Sequence, residues 1–178
     1  QDPMNAQTTY HGGSDDQDSP QADLSRSLLI ICAHGSAYHP AANEHVLEIS
    51  STIRQSGDYA DVQTIFHAGQ AADWPAPDLD PGAFDQILVV PYMMSDGFLA
   101  KQMTDNAKHT IEEAGIKKPV IGTSSVGTHP AIADIVLKVA TEAAEAHQLS
   151  ADALSLVIVA HGSRNAPQSR IGAEAHLQ

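Results

Sequence analysis

The sequence predicts an α/β domain: a parallel sheet of about four strands flanked by helices on both faces. Three observations carry this. Short apolar runs near residues 28–33, 62–66, 86–90 and 120–122 alternate with stretches whose apolar residues have helical spacing, the pattern that produces parallel sheets. The first run, Leu28-Leu29-Ile30-Ile31-Cys32-Ala33, is apolar throughout and stops on His34-Gly35-Ser36, as a strand covered on both faces does. The phrase Ala-His-Gly-Ser then returns at residues 160–163, and Pro40 and Pro167 keep the same 127-residue offset. A repeat at that distance is a duplicated domain, not a solenoid unit.

The elements follow in order. After the strand ending at His34, Pro40 opens a helix with Ala42, Val46, Ile49 and Ile53 on one face, closed by Gly57. Asp61 to His67 reads as a second strand, ending on His67-Ala68-Gly69. A Pro- and Asp-rich connection leads to a third strand, Gln86 to Val90, stopped by Pro91. The loop Tyr92-Met93-Met94-Ser95-Asp96-Gly97 comes next, then a helix from about Leu99 to Ala114 that ends at Gly115. Two adjacent methionines at a strand end are either core filling or a soft surface for a flat organic ligand. Val120 to Gly122 is a short fourth strand, opening into a Ser- and Gly-rich loop. The last helix carries Ile132, Ile135, Val136, Val139 and Ala143 on one face, with Thr128 or His129 as its cap and Pro130 in its first turn.

Parallel strands bring their carboxyl ends to one edge, where ligands of such sheets bind. That edge collects His34, His67, the Tyr92–Gly97 loop and the Ser124–His129 loop. An imidazole there can hold a divalent metal or accept a proton near neutral pH.

Composition bounds the partners. The 178 residues carry a net charge of −13, which argues against nucleic acid. No apolar run reaches the roughly 18 residues of a membrane span, and no secretory signal pattern is visible. One cysteine excludes an internal disulfide framework, and a cytoplasmic location is expected. Residues 1–25 hold five aspartates and no Lys or Arg, leaving −8 on the remainder. They read as a disordered acidic tail, with Gln1-Asp2-Pro3 ahead of Met4 as a cloning remnant. Residues 26–150 form the expected domain, and 151–178 the opening strand and turn of a second, truncated repeat.

Three segments give the chain a family resemblance: Ile30-Ile31-Cys32-Ala33-His34-Gly35-Ser36, Val89-Val90-Pro91-Tyr92-Met93-Met94-Ser95-Asp96-Gly97 and Gly122-Thr123-Ser124-Ser125-Val126-Gly127-Thr128-His129-Pro130. In order and spacing they resemble one domain of the class II tetrapyrrole chelatases, the sirohydrochlorin cobalto- and ferrochelatases of the CbiX group. Ala160-His161-Gly162-Ser163 then looks like the start of the second domain of the duplicated form. The resemblance implies a chelatase-like fold with flavodoxin- or Rossmann-like layering. It implies insertion of Co2+, Fe2+ or Ni2+ into a sirohydrochlorin-type tetrapyrrole without a nucleotide, in cobalamin or sirohaem synthesis. His34 matches the family's principal metal-site histidine and is the expected catalytic residue. Members of the group carry a second histidine two residues after the loop glycine, where this chain has Leu99. His67 is the first candidate to replace it and His129 the next, with His161 as a further metal ligand. Ser36, Tyr92, Met93, Met94, Gly97, Ser124 and Ser125 are the expected substrate-binding residues. The alternative is a non-catalytic metal- or tetrapyrrole-binding protein of the same fold. A phosphatase with His34 as phospho-acceptor would want arginines beside it, and only Arg26 and Arg54 are near in sequence. A homodimer through residues 151–178 is expected, because a lone apolar strand cannot bury both faces.

Overall fold

The computed structural model describes residues 23–39, 41–67, 76, 78–150, 155–157 and 159. Four strands, β1 (Ser27–Ala33), β2 (Asp61–Phe66), β3 (Gln86–Tyr92) and β4 (Val120–Gly122), form one sheet in the order β2-β1-β3-β4. Every neighbouring pair is parallel. The helices are α1 (Ala41–Ser56), α2 (Phe98–Glu113) and α3 (Ala131–Ala146), with a 3-10 turn at Val126–Thr128. The predicted α/β class and strand count are observed.

Because β1 is central, its side chains fill both halves of the core. Leu28, Ile30 and Cys32 join Ile87, Val89 and the α2 residues Met103, Ala107 and Ile111 on one face. Leu29, Ile31 and Ala33 join Val62 and the α1 residue Val46 on the other. Phe84, fully buried, plugs the first cluster just before β3 begins. At that end Arg26 grips Asp85 through two hydrogen bonds of 2.5 and 2.8 Å.

Three details depart from the expectations. β3 runs through Pro91 to Tyr92 instead of stopping before it. Ile87 and Val89 both bond toward β4, through the Pro119 carbonyl and the Thr123 amide. Pro91, two residues on, therefore turns its missing N–H to the side that β4 has already left, where a strand tolerates proline. The buried face of α1 is Asn43, Val46 and Ser50, one residue removed from the expected Ala42 and Ile49. Asn43 and Ser50 can be buried because each finds a polar partner: Asn43 in Ser36, Ser50 in the Thr64 hydroxyl and the Val46 carbonyl. On α3, Ile135 and Val139 are 54% and 58% exposed, against the expected buried face. A three-residue edge strand offers too little sheet for a sixteen-residue helix to cover.

α2 ends as expected: Gly115 takes φ +72°, the left-handed conformation that stops a helix at least cost. Pro40, His161 and most of residues 151–178 lie outside the described residues. Leu156, Val157 and Val159, which are described, sit outside the sheet. No helix among the described residues is long and apolar enough to cross a membrane.

Candidate metal and substrate site

β1 and β2 end side by side, with Ala33 paired to Phe66. The next residue of each strand is a histidine, and the His67 amide donates to the Ala33 carbonyl at 2.9 Å. The sheet itself therefore brings His34 and His67 together. Their ring centroids lie 6.0 Å apart, with the planes tilted by 54°. With metal–nitrogen bonds of about 2.0–2.1 Å, two imidazoles on one ion have centroids roughly 5–6.5 Å apart. The observed separation lies in that range.

Gly35 follows His34 with φ +71°, a conformation that costs glycine little and turns the chain sharply off the strand. The turn brings the Gly35 carbonyl to 2.8 Å from His34 Nδ1. A carbonyl only accepts, so Nδ1 carries the proton and Nε2 keeps its lone pair for a metal. Both rings are solvent-exposed. The loop is held from behind: the Ser36 amide donates to Asn43 Oδ1, Asn43 Nδ2 returns a bond to the Ser36 carbonyl, and the His39 amide donates to Ser36 Oγ. Sequence reading missed Asn43, although an asparagine in the first turn of a helix beside a glycine turn is a ready loop tether.

His129 is engaged elsewhere. The Ala131 amide donates to His129 Nδ1 at 3.2 Å, at the start of α3, whose N-cap residue is Pro130 and not the expected Thr128 or His129. No group of three or more His, Cys, Asp or Glu side chains suited to a metal occurs among the described residues. His161 lies outside them.

The other rim loops are stitched to each other. Asp96 Oδ1 accepts from the Ser125 amide at 2.6 Å, and Ser125 Oγ donates to the Ser95 carbonyl at 3.1 Å. The Gly127 amide donates to the Met93 carbonyl at 2.8 Å. Ser125 is thus buried, with its hydroxyl turned inward. Met94 is 64% exposed and Met93 packs against the core beneath it. Tyr92 packs on the α1 side of the sheet. Ser124 and Gly97 line a groove beside α2, away from the histidine pair. Leu99 is half-buried against the core and offers no ligand.

Below His67 a pocket of about 220 Å³ runs between β1, β2 and α2, lined by Cys32, Ile65, Met103 and Ala107 among others. Burial pushes the Cys32 thiol up to about 12, so it stays a neutral, apolar wall and not a thiolate ligand.

The chain is thus a parallel four-stranded α/β domain with two histidines side by side at its carboxyl edge. The CbiX family model matches residues 28–143, and the chain belongs to the CbiX family of class II chelatases. A "Probable sirohydrochlorin cobaltochelatase" of Halobacterium salinarum is 24% identical over 154 residues, which are 76% of this chain and 52% of that protein. The chain therefore spans about half the length of this curated relative. Among solved structures, a "Putative cobalamin (vitamin B12) biosynthesis CbiX protein" of Marinobacter aquaeolei VT8 aligns with a TM-score of 0.49 and 16% identity. The alignment covers 67% of this chain and 98% of that one. A multi-domain protein of Deinococcus radiodurans, described as structurally similar to chelatases, aligns at TM-score 0.49 and 23% identity, over 68% of this chain and 26% of its own.

Proposed function

We propose that this domain delivers a divalent metal, Co2+, Fe2+ or Ni2+, into a sirohydrochlorin-type tetrapyrrole, with His34 and His67 as its first protein ligands. The observation that carries this is the pair of imidazoles 6.0 Å apart on the open carboxyl edge. His67 then stands in for the histidine absent at Leu99. A two-imidazole site leaves most coordination positions free, which suits an ion that must be handed on. The chemistry balances simply. Two ring N–H bonds break and two protons leave, four bonds form between the metal and the ring nitrogens, and the metal's bonds to the two imidazoles break. Each released imidazole is a base within reach of one of those protons. No nucleotide enters this step.

The Halobacterium relative's description supports sirohydrochlorin as substrate. The test is to mix protein, sirohydrochlorin and each metal and follow the absorbance change against a protein-free control. Faster insertion with Co2+, Fe2+ or Ni2+ confirms the reading and ranks the metals. Leu99 favours one second reading, a carrier that binds metal or macrocycle without joining them. That reading predicts binding with an insertion rate equal to the control.

A homodimer through residues 151–178 belongs to the same proposal. Leu156, Val157 and Val159 are 49%, 77% and 90% exposed, an apolar stretch in need of cover. Deleting residues 151–178 should convert a dimer to a monomer by light scattering.

A further inference from the structure

The opposite side of α2 carries a second concavity that the metal site does not use. It has a volume of about 400 Å³ and lies between α2 and the edge strand β4. Its wall carries both signs of charge: Lys101, Asp105 and Lys108 from α2 and Asp96 from the loop before it, with Thr123 and Ser124 just after β4. In a chain of net charge −13 with only 9 Lys and Arg, two lysines at one groove stand out. Lys101 is matched by Asp105 at 2.6 Å. The other carboxylate in the groove, Asp96, accepts from the Ser125 amide and is held to that side of the groove. Lys108 is half-buried and makes no direct ion pair among the described residues, although its charge, with that of Lys101, acts on the Asp105 carboxylate.

Gly122 keeps the groove open. A β-carbon there would stand 2.9 Å from Thr104 Cγ2 and 4.0 Å from the Lys108 ammonium, inside the space the lysine faces. Gly122 is the last residue of β4, and a glycine there lets another group come close to the backbone. The groove also sits at rim level: Pro91 lines it, and Pro91 pairs with Cys32, which lines the pocket under His67. Two or three strand spacings, roughly 10–14 Å, separate it from the histidine pair.

We propose that this groove holds a carboxylate arm of the tetrapyrrole, with Lys108 as the counter-charge and Gly122 as the opening. The inference rests on the proposed function, and it answers how so acidic a chain accepts a polycarboxylate. An arm at the macrocycle's periphery reaches the groove while the ring nitrogens face the rim histidines, so the groove sets the orientation of the ring.

The test titrates sirohydrochlorin and its fully methylated ester against wild type, Lys108→Ala, Lys108→Glu and Gly122→Val, by fluorescence. Co2+ affinity is measured alongside. Lys108→Ala should weaken the acid form about threefold and Lys108→Glu about tenfold, the range of a partly exposed charge pair. The ester should bind all three Lys108 forms alike, and Co2+ affinity should not change. Gly122→Val should weaken the acid form, and added salt should narrow the difference between wild type and Lys108→Glu. Equal binding of the acid form by wild type and Lys108→Glu overturns the groove and leaves the metal reading intact. Failure of wild type to bind sirohydrochlorin, with Co2+ still bound, overturns both. Lys108-dependent binding of free phosphate without any effect on sirohydrochlorin makes the groove a simple anion site and also overturns the proposal.

Discussion

Ser36 and Asn43 hold each other by two hydrogen bonds, amide to Oδ1 at 2.9 Å and Nδ2 to carbonyl at 3.2 Å. Asn43 is 3% exposed, so removing its amide leaves Ser36 groups unpaired behind the His34 turn. Asn43→Ala should cost about 1–3 kcal/mol of stability, read by urea denaturation. It should also lower Co2+ affinity without touching a ligand, because the loop that presents His34 loses its anchor.

Gly127 makes the other rim junction. A methyl group on it would overlap the Met94 backbone, meeting its carbonyl carbon and oxygen at 2.6 Å. Gly127→Ala must separate the β3–α2 and β4–α3 loops, at a cost of about 1–3 kcal/mol. Denaturation midpoints of wild type and variant check this. An unchanged midpoint would mean that the two loops are not packed as described.

The fold was legible because the sheet follows from patterns that local sequence carries. β1 is apolar at consecutive positions because it is central, and Gly57 and Gly115 mark helix ends that the structure bears out with φ of +76° and +72°. The errors arose where a tertiary partner decided the outcome. Asn43 and Ser50 look like solvent residues on a helical wheel until Ser36 and Thr64 supply their hydrogen bonds. Pro91 looks like a stop until β4 proves too short to need its N–H. At the site, the two strand-end histidines could be named from sequence, but their adjacency depends on β1 and β2 being neighbours in register. The bond from the Ala131 amide to His129 Nδ1 left no mark in the sequence.

That bond gives a third prediction. His129→Ala removes the ring nitrogen that receives an α3 amide, so it should cost about 0.5–2 kcal/mol, as lost helix caps do. Co2+ affinity should stay at the wild-type value. A loss of metal binding with unchanged stability would return His129 to the ligand set.

Burial raises the Cys32 thiol from its ordinary 9.0 to about 12. Below pH 9 the thiol is protonated in folded and unfolded chains alike and adds no pH dependence. Between pH 9 and 12 the unfolded chain ionises and the folded one does not, so stability falls as pH rises through that window. Wild type should lose up to about 1.4 kcal/mol per pH unit more than Cys32→Ala there. The native thiol should also resist a thiol reagent at pH 8 and react only on unfolding.

The central claim is that His34 and His67 share one ion. Calorimetric titration of Co2+ into wild type, His34→Ala and His67→Ala tests it most directly. One ion per chain in wild type, with binding lost or weakened at least tenfold in each single variant, is the predicted result. His67→Ala binding Co2+ as tightly as wild type would contradict it.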